Sequence, residues 1–299
     1  MKIVYSPKYE VDIGLHVFPT EKFRLIHDQL LKEGILKEGD FVEPESASEE
    51  DVLLVHTKEY VKKLKEGTLS ALEIFTLELP YSKELVESSW LSAGGTSLAC
   101  KNALKDGIGF HLGGGFHHAF PDHGEGFCVL NDIAIGIKKL LKDKDIKRAA
   151  VIDCDLHQGN GTAVIFQKDK NVFTFSIHQE HNYPPKEKSS LDIGLEDGAD
   201  DEEYLAHLRE HVPRIIKDFK PDFILYDAGA DPYEGDQLGG LALTLEGLKK
   251  RDELVISEAL KAKIPVAVVL GGGYAMDVND TVKIHAQTAK VCYNFLKSR

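Results

Sequence analysis

Short apolar runs alternate with amphipathic segments along the whole chain, and this alternation restricts the possible fold more than any other feature. Most of the runs are continuous, as is typical of strands covered on both faces. We predict strands at residues 2–5, 52–55, 108–112, 149–153, 172–177, 223–226 and 265–270. We predict helices at residues 20–33, 58–65, 83–104, 131–142, 201–218, 245–261 and 281–296. This order predicts an α/β fold in which helices flank a mainly parallel central sheet.

The chain has neither an internal repeat nor a low-complexity linker. Its 299 residues are many for one domain, but α/β folds reach this length as a single unit, so we expect one domain over residues 1–299. Two irregular stretches, 43–50 and 178–192, are predicted surface loops. The second follows a strand directly, which places it near any site at the strand ends.

Composition excludes several functional classes. No apolar run approaches the roughly 20 residues that span a bilayer, and the start lacks a signal peptide's pattern, so we expect a cytoplasmic protein without membrane insertion. The net charge of −13 disfavours binding to nucleic acid and favours a cationic substrate. The four cysteines have no zinc-binding spacing and are expected to be reduced thiols.

Several polar side chains that could bind a metal or react lie close together in the stretch VIDCDLHQGNG, residues 151–161. A buried strand ends there in Asp153, Asp155 and His157, and alternate side chains of an extended segment share a face. Two carboxylates and an imidazole that face one point would repel and desolvate one another unless a cation lay among them. The pattern favours a metal site over solvated residues at a strand end.

Three other predicted strands also end in reactive or glycine-rich segments: GGGFHH at 113–118, DAGAD at 227–231 and GGGY at 271–274. Ligands of open α/β sheets bind at this edge. The GGGY segment lacks the spacing of a dinucleotide-binding turn and the lysine of a P-loop, which argues against phosphate binding. One site is predicted, with candidate metal ligands and reactive groups at Asp155, His157, Asp231, His117, His118 and Tyr274.

These residues match a known family. GGGFHHAFPDHGEGFCVLND (113–132), VIDCDLHQGNG, DAGADPYEGDQLGGL (227–241) and LGGGY (270–274) resemble, in order and spacing, the zinc-dependent histone deacetylases. HVFPTEKF (16–23) and VHTKEYV (55–61) resemble the family's amino-terminal segments. QGNG and EGDQLGG are most similar to class IV and its bacterial relatives. The resemblance implies the three-layer arginase/deacetylase fold.

The resemblance also implies roles at the site. Asp155, His157 and Asp231 would bind the catalytic Zn²⁺, and Fe²⁺ would also suit one nitrogen and two oxygen ligands. His118 would be the general base, His117 would help to stabilise the water and the developing charge, and Tyr274 would donate to the oxyanion.

Two further residues would orient the histidines. Asp153 would accept a hydrogen bond from His117, and Asn160 would accept one from His118. Many deacetylases carry Asp at the position of Asn160. A neutral amide does not stabilise an imidazolium as a carboxylate does, so His118 should be less basic here.

The resemblance further implies an acyl-amine tunnel and structural K⁺. The tunnel would be lined by Gly126, Phe127, Tyr183 and Leu238. A first K⁺ site would use Asp153, Asp155, His157, Ser176 and Ile177, and a second would use carbonyls of Phe166, Asp169 and Val172.

The sequence therefore predicts a metal-dependent deacylase that acts on an acylated lysine in a protein or peptide, or on a related acylated small amine. An acetylpolyamine deacetylase is the alternative, which the acidic charge also suits, although the chain lacks that branch's long inserted dimerisation loop and a monomer is expected. A manganese ureohydrolase is disfavoured, because its two clustered metals need more Asp ligands. A non-catalytic acyl-amine binding protein would have lost a ligand, His118 or Tyr274, and all are present.

Overall fold

One eight-stranded sheet forms the centre of the fold, and all of its strand pairs are parallel. The structure is a computed structural model, and it describes residues 2–297. The strands are β1 Ile3–Val4, β2 Phe41–Val42, β3 Ile108–His111, β4 Ala149–Asp153, β5 Val172–Gln179, β6 Leu191–Leu195, β7 Phe223–Asp227 and β8 Val266–Val269. Their order across the sheet is β2-β1-β3-β8-β7-β4-β5-β6.

Ten α-helices connect or flank these strands in the described part of the chain. They are α1 Lys22–Lys32, α2 Glu49–Val52, α3 Lys58–Glu66, α4 Ala71–Leu77, α5 Lys83–Asp106, α6 Asp132–Lys142, α7 Asn160–Phe166, α8 Asp201–Phe219, α9 Leu245–Lys261 and α10 Val278–Lys297. None of the helices within residues 2–297 is both long and apolar enough to cross a membrane.

The two faces of the sheet bury separate apolar clusters. Successive residues of β4 alternate between them: Ala150 and Ile152 belong to the larger cluster, and Ala149 and Val151 belong to the smaller. Helices α8 and α9 pack on the larger cluster, whereas α6 and the end of α5 supply the smaller. Helices thus cover both faces, which explains the continuous apolar strands and confirms the predicted three-layer α/β architecture.

Six of the seven predicted strands and all seven predicted helices are present, with ends that differ by a few residues at most. The strand predicted at 52–55 is wrong. Ser48 caps a short helix there by accepting a hydrogen bond from the amide of Asp51, and α2 ends at Val52 before a turn. The predicted loop at 178–192 is wrong at its ends, because β5 continues to Gln179 and β6 begins at Leu191.

Candidate active site

The loop after β4 carries the first predicted ligands. Asp155 and His157 are buried there, and Asp231, which follows the neighbouring strand β7, lies against them. His157 Nδ1 is 3.2 Å from Asp155 Oδ1 and 3.1 Å from Asp231 Oδ2. One ligand atom from each of the three lies within 4.8 Å of the others. The structure therefore brings the three predicted ligands together.

Backbone hydrogen bonds fix the carboxylates of this cluster. The amide of Leu156 donates to Asp231 Oδ1 at 2.9 Å, which ties the loop after β7 to the loop after β4. The amide of Asp155 donates to Asp153 Oδ1 at 3.1 Å, and the amide of His157 donates to Asp155 Oδ1 at 2.9 Å. The donor set is thus arranged by the fold itself.

The electrostatics of the cluster fit a cation. Burial raises the pKa of Asp231, and the charge of Asp155 acts in the same direction. Burial opposes the proton on His157, but hydrogen bonds to Asp155 and Asp231 outweigh it and raise the pKa of His157 to about 9. A divalent metal would take the place of that proton, because it binds neutral imidazole and ionised carboxylates. One nitrogen and two oxygen donors suit Zn²⁺ or Fe²⁺.

A second buried group, formed by His117, Asp153 and Asp227, also meets the spacing for a metal. His117 Nδ1 is already bonded to Asp153 Oδ2 at 2.8 Å, whereas Asp227 Oδ2 has no hydrogen-bond partner among the described residues. Burial raises the pKa of Asp227 well above its usual range, and the charge of Asp153 adds to this effect. His117 also contacts His118, which lies outside this group, whereas both hydrogen-bond contacts of the His157 ring are to Asp155 and Asp231. The Asp155 cluster is therefore the better divalent site.

His117 and His118 face the Asp155 cluster from the loop after β3. His117 Nδ1 contacts Asp153 Oδ2, and His118 Nδ1 lies 2.8 Å from Asn160 Oδ1. The two Nε2 atoms are 3.1 Å apart. The two predicted pairs, His117 with Asp153 and His118 with Asn160, are therefore both formed.

The two histidines have opposite protonation preferences. Burial disfavours a charge on His117, but Asp153 and Asp155 outweigh it and raise the pKa of His117 to about 10. Burial lowers the pKa of His118 well below its usual value, and the charges of His117 and His157 lower it further. With these preferences, Nε2 of the charged His117 carries a proton, whereas Nε2 of the neutral His118 can carry a lone pair.

The start of α6 holds the histidine loop in place. Asn131 caps the helix by accepting from the Ala134 amide at 2.9 Å, and its Nδ2 donates to the carbonyls of His117 and Ala119. Asp132 accepts from the Phe116 amide at 2.8 Å. Neither residue was predicted to support the site, although the segment that contains them was recognised.

Two glycines permit close approach of the loops after β3 and β8. Gly115 has φ of +80°, and a Cβ built there would lie 2.6 Å from the backbone of Gly271. A side chain at Gly115 would therefore push apart the segments that carry His117 and Tyr274. This close contact between Gly115 and Gly271 explains why both GGG motifs of the sequence need glycine at these positions.

Tyr274 follows β8 and reaches the same cavity. Its backbone amide donates to Asp236 Oδ2 at 2.7 Å, and its ring centroid lies 6.4 Å from that of His157. Burial raises the pKa of Tyr274 well above its usual value, and Asp231 and Asp155 add to the effect. The hydroxyl therefore stays protonated and can donate a hydrogen bond.

A buried guanidinium supports the metal-ligand loops from behind. Arg251 of α9 is fully buried, and it donates to the carbonyls of Cys154 and Gly229. These carbonyls belong to the segments that carry Asp155 and Asp231. Asp252 accepts from Arg251 Nε at 3.0 Å and from the Tyr226 hydroxyl at 2.6 Å, so the buried charge is paired. No sequence pattern indicated this pair.

Aromatic side chains and one lysine form the inner wall of the cavity. Phe18, Phe23 and Lys22 line it together with the histidines and Tyr274. Lys22 is buried, its Nζ lies 5.1 Å from the Phe18 ring centroid, and it donates to the Gly272 carbonyl. Burial lowers the pKa of Lys22 to about 8, against the pull of Asp231 and Asp155. No role was predicted for these three residues, although the HVFPTEKF segment belonged to the resemblance.

Two of the four predicted tunnel residues line the cavity. Gly126 and Phe127 line it, and the Phe127 ring centroid lies 5.7 Å from that of Tyr274. Tyr183 lies next to Gly126, and its ring centroid is 5.3 Å from that of His118. The Leu238 carbonyl accepts from Asn182 Nδ2 at 2.8 Å, which joins its loop to the one that carries Tyr183.

The residues predicted for K⁺ also lie close together in two groups. Asp153 of β4 pairs in register with Ser176 of β5, next to Ile177, at the end of the sheet that carries Asp155 and His157. In the second group, the Asp169 amide donates to the Phe166 carbonyl at 2.9 Å, and the Val172 amide donates to the Asp169 carbonyl at 3.2 Å. These contacts join Asp153 to Ser176 in the first set and all three residues of the second.

A family model described as the histone deacetylase domain matches residues 16–289, which include every group of the candidate site. The chain belongs to the histone deacetylase family. An uncharacterised protein of Picosynechococcus is 43% identical, and the match covers 95% of each chain. Histone deacetylase 2 of Arabidopsis thaliana is 32% identical over 92% of this chain and 74% of that protein.

The fold agrees with that of a solved structure. The crystal structure of the HDA15 HD domain aligns with a TM-score of 0.80, at 21% identity, over 100% of this chain and 91% of that one. This likeness confirms the arginase/deacetylase fold. Membership of the histone deacetylase family supports a metal-dependent deacetylase activity, and the buried Asp155 cluster offers the metal a place.

Proposed function

We propose that this histone deacetylase family member is a zinc-dependent deacylase of a class IV type. It would remove an acyl group from a lysine side chain of a protein or peptide, or from a related small amine. The observation that carries the proposal is the position of the buried ligand cluster next to two histidines, of which His117 is charged and His118 is neutral, with a protonated Tyr274 at the same cavity. Residues 1–299 would form one catalytic domain that acts as a monomer.

Asp155, His157 and Asp231 would hold the zinc. A zinc ion there would act as a Lewis acid that polarises the amide carbonyl and acidifies the attacking water. His118 is neutral, so its Nε2 can take the water proton as the nucleophile attacks the carbonyl carbon. His117 carries a positive charge that stabilises the negative charge of the tetrahedral oxygen.

Tyr274 completes the reaction. Its hydroxyl would donate to the oxyanion as the carbonyl becomes tetrahedral, and the proton taken by His118 would pass to the nitrogen as the carbon–nitrogen bond breaks. The products are a carboxylic acid and a free amine. Gly126, Phe127, Tyr183 and Leu238 would enclose the chain of the substrate. The first predicted K⁺ site would lie beneath the zinc, and the second would use the carbonyls of Phe166, Asp169 and Val172.

The proposal is tested by measuring the hydrolysis of acyl-lysine peptides and acyl-polyamines of graded acyl length. The protein used has a measured metal content. We expect about one zinc or iron per chain, hydrolysis of acyl-lysine and tight binding of a hydroxamate. Faster hydrolysis of acyl-polyamines would favour the second candidate, an acetylpolyamine deacetylase, which the net charge of −13 also suits. A protein that contains no metal and does not bind hydroxamates would refute the proposal that the chain is a metal-dependent deacylase.

Tyr274→Phe tests the oxyanion donor. Removal of one such donor should lower kcat by about 10²-fold to 10³-fold and leave zinc content unchanged, because the hydroxyl is not a ligand. Turnover is measured at saturating substrate, and metal is measured by elemental analysis. An equally active variant would remove this role from Tyr274.

A further inference from the structure

Glu125 contacts both the histidine support and the tunnel wall, and neither sequence nor family comparison assigns it a role. One of its oxygens, Oε1, accepts a hydrogen bond from Asn160 Nδ2 at 2.7 Å and another from the Tyr183 hydroxyl at 3.1 Å. The other oxygen, Oε2, lies 3.4 Å from His123 Nε2. The side chain is 15% exposed, so these contacts replace most of its water.

A tight turn fixes the position of Glu125. The amide of Glu125 donates to the Cys128 carbonyl, and the amide of Cys128 donates back to the Glu125 carbonyl at 2.9 Å. The two central residues of the turn, Gly126 and Phe127, both have positive φ. The carboxylate is therefore presented from the same turn that forms one wall of the tunnel.

The contact from Glu125 determines which end of the Asn160 amide faces His118. A carboxylate only accepts, so it takes the NH₂ end, and the carbonyl oxygen points to His118 Nδ1. The Gly161 amide donates to the same carbonyl oxygen at 3.0 Å and supports this orientation. His118 must then carry its proton on Nδ1, which leaves the Nε2 lone pair directed at the cavity.

The same contact explains why residue 160 is an amide. In place of Asn160, an aspartate would have its second carboxylate oxygen where Nδ2 now lies, against the Glu125 oxygen. Two buried carboxylate oxygens in contact repel each other unless one of them binds a proton. Glu125 and Asn160 therefore form a matched donor and acceptor pair.

We propose that Glu125 is a positioning residue of the reaction: it locks the Asn160 amide, and through it the Nδ1–H tautomer of His118, and it sets the Tyr183 hydroxyl on the tunnel wall. The inference rests on the proposed function for its kinetic consequence. Its structural consequence, the tautomer of His118, is independent of any substrate.

Exchange of the pair is the sharpest test. In Asn160→Asp, we expect kcat/KM to fall about tenfold, because a buried group loses its partner and meets a like charge. In the double variant Glu125→Gln with Asn160→Asp, the Gln amide can donate to the new carboxylate, and we expect kcat/KM to return to within about threefold of the parent. A double variant as slow as Asn160→Asp would overturn the proposal.

Removal of the acceptor gives a second measurement. Glu125→Met keeps the bulk but accepts no hydrogen bond, so we expect kcat to fall about tenfold with unchanged metal content and folding. Glu125→Gln, which keeps an acceptor oxygen, should lose less than Glu125→Met. Asp122→Asn is the matched control, because Asp122 contacts His123 but not Asn160, and it should leave kcat unchanged.

Nitrogen-15 NMR of the imidazole separates failure of this inference from failure of the proposed function. We expect His118 to show protonated Nδ1 in the parent protein and a mixture of tautomers in Glu125→Met, whether or not any acyl substrate is hydrolysed. If the substrate panel fails while the NMR difference is present, only the proposed activity is wrong. A His118 signal that is the same in both proteins would refute the role of Glu125.

Discussion

His117 and His118 are adjacent in the sequence and in space, but they rest on different partners. Asp153 stands behind one ring and Asn160 behind the other, each at 2.8 Å. Asp153, together with Asp155, outweighs burial and raises the pKa of His117 to about 10, whereas burial and the charge of His117 lower the pKa of His118 well below its usual value. The comparison teaches that the residue behind the ring, rather than the histidine itself, assigns one ring to charge stabilisation and the other to proton transfer.

The largest expected effect separates the two rings directly. His118→Ala should lower kcat/KM by about 10³-fold, because a general base of this kind contributes roughly 10²-fold to 10⁴-fold. His117→Ala should cost about tenfold less than that, since it removes a stabilising charge but not the base. Steady-state kinetics with an acyl-lysine peptide measures both variants. Equal losses would show that the two rings do not have separate roles.

Asp153→Asn would make the two pairs alike. Both rings would then contact a neutral amide, and His117 would lose the carboxylate charge of Asp153 that stabilises its imidazolium. The pKa of His117 should therefore fall, and kcat/KM should drop by about 10²-fold. The zinc content should stay near one per chain, because Asp153 is not a proposed zinc ligand. Activity that is indifferent to this change would mean that the charge of His117 contributes nothing.

The pH dependence tests the low basicity of His118. The neutral form is the active base, so kcat/KM should fall only when the pH drops through the pKa of His118, which burial places below the ordinary value of 6.5. The acid limb of kcat/KM should therefore lie below pH 6.5 in protein that retains its metal. An acid limb clearly above that value would contradict the assignment.

The smallest expected effect on the comparison comes from Asn131→Ala. Asn131 holds the carbonyls of His117 and Ala119, so its loss should weaken both pairs alike. We expect the free energy of unfolding to fall by about 2 kcal/mol through the lost helix cap and buried hydrogen bonds. Thermal unfolding measures the change. A change in the environment of only one of the two histidines would show that Asn131 does not support both pairs alike.

The sequence predicted the architecture well because long periodic helices and continuous buried strands leave a strong pattern. It failed at 52–55, where four apolar residues follow an acidic, serine-capped helix start, since a short apolar run alone does not distinguish helix from strand. It also failed to predict β2 and β6. The former has two residues, and most of the latter is only partly buried at the edge of the sheet, so neither produces an apolar run.

At the site, the predicted ligands, the two histidines, Tyr274, Gly126 and Phe127 come together, and their roles stay predictions until tested. The residues that were missed act through contacts between distant segments. Lys22 and Phe18 come from the start of the chain, Arg251 from a late helix, and Glu125 from a turn whose partner Asn160 lies in α7. A one-dimensional pattern marks unusual residue types at strand ends, but it does not reveal which lysine or glutamate will be buried against them.

The place of β8 in the sheet has a consequence for biosynthesis. Strand β8 separates β3, which precedes the histidine loop, from β7, which precedes Asp231. During translation, β3 leaves the ribosome roughly ten to thirty seconds before β8 at ordinary elongation rates. Until then the inner edges of β3 and β7 have no partner, and the acceptors and donors on them are open to other chains. We therefore expect the nascent chain to need chaperone protection most just before residue 266, where β8 begins.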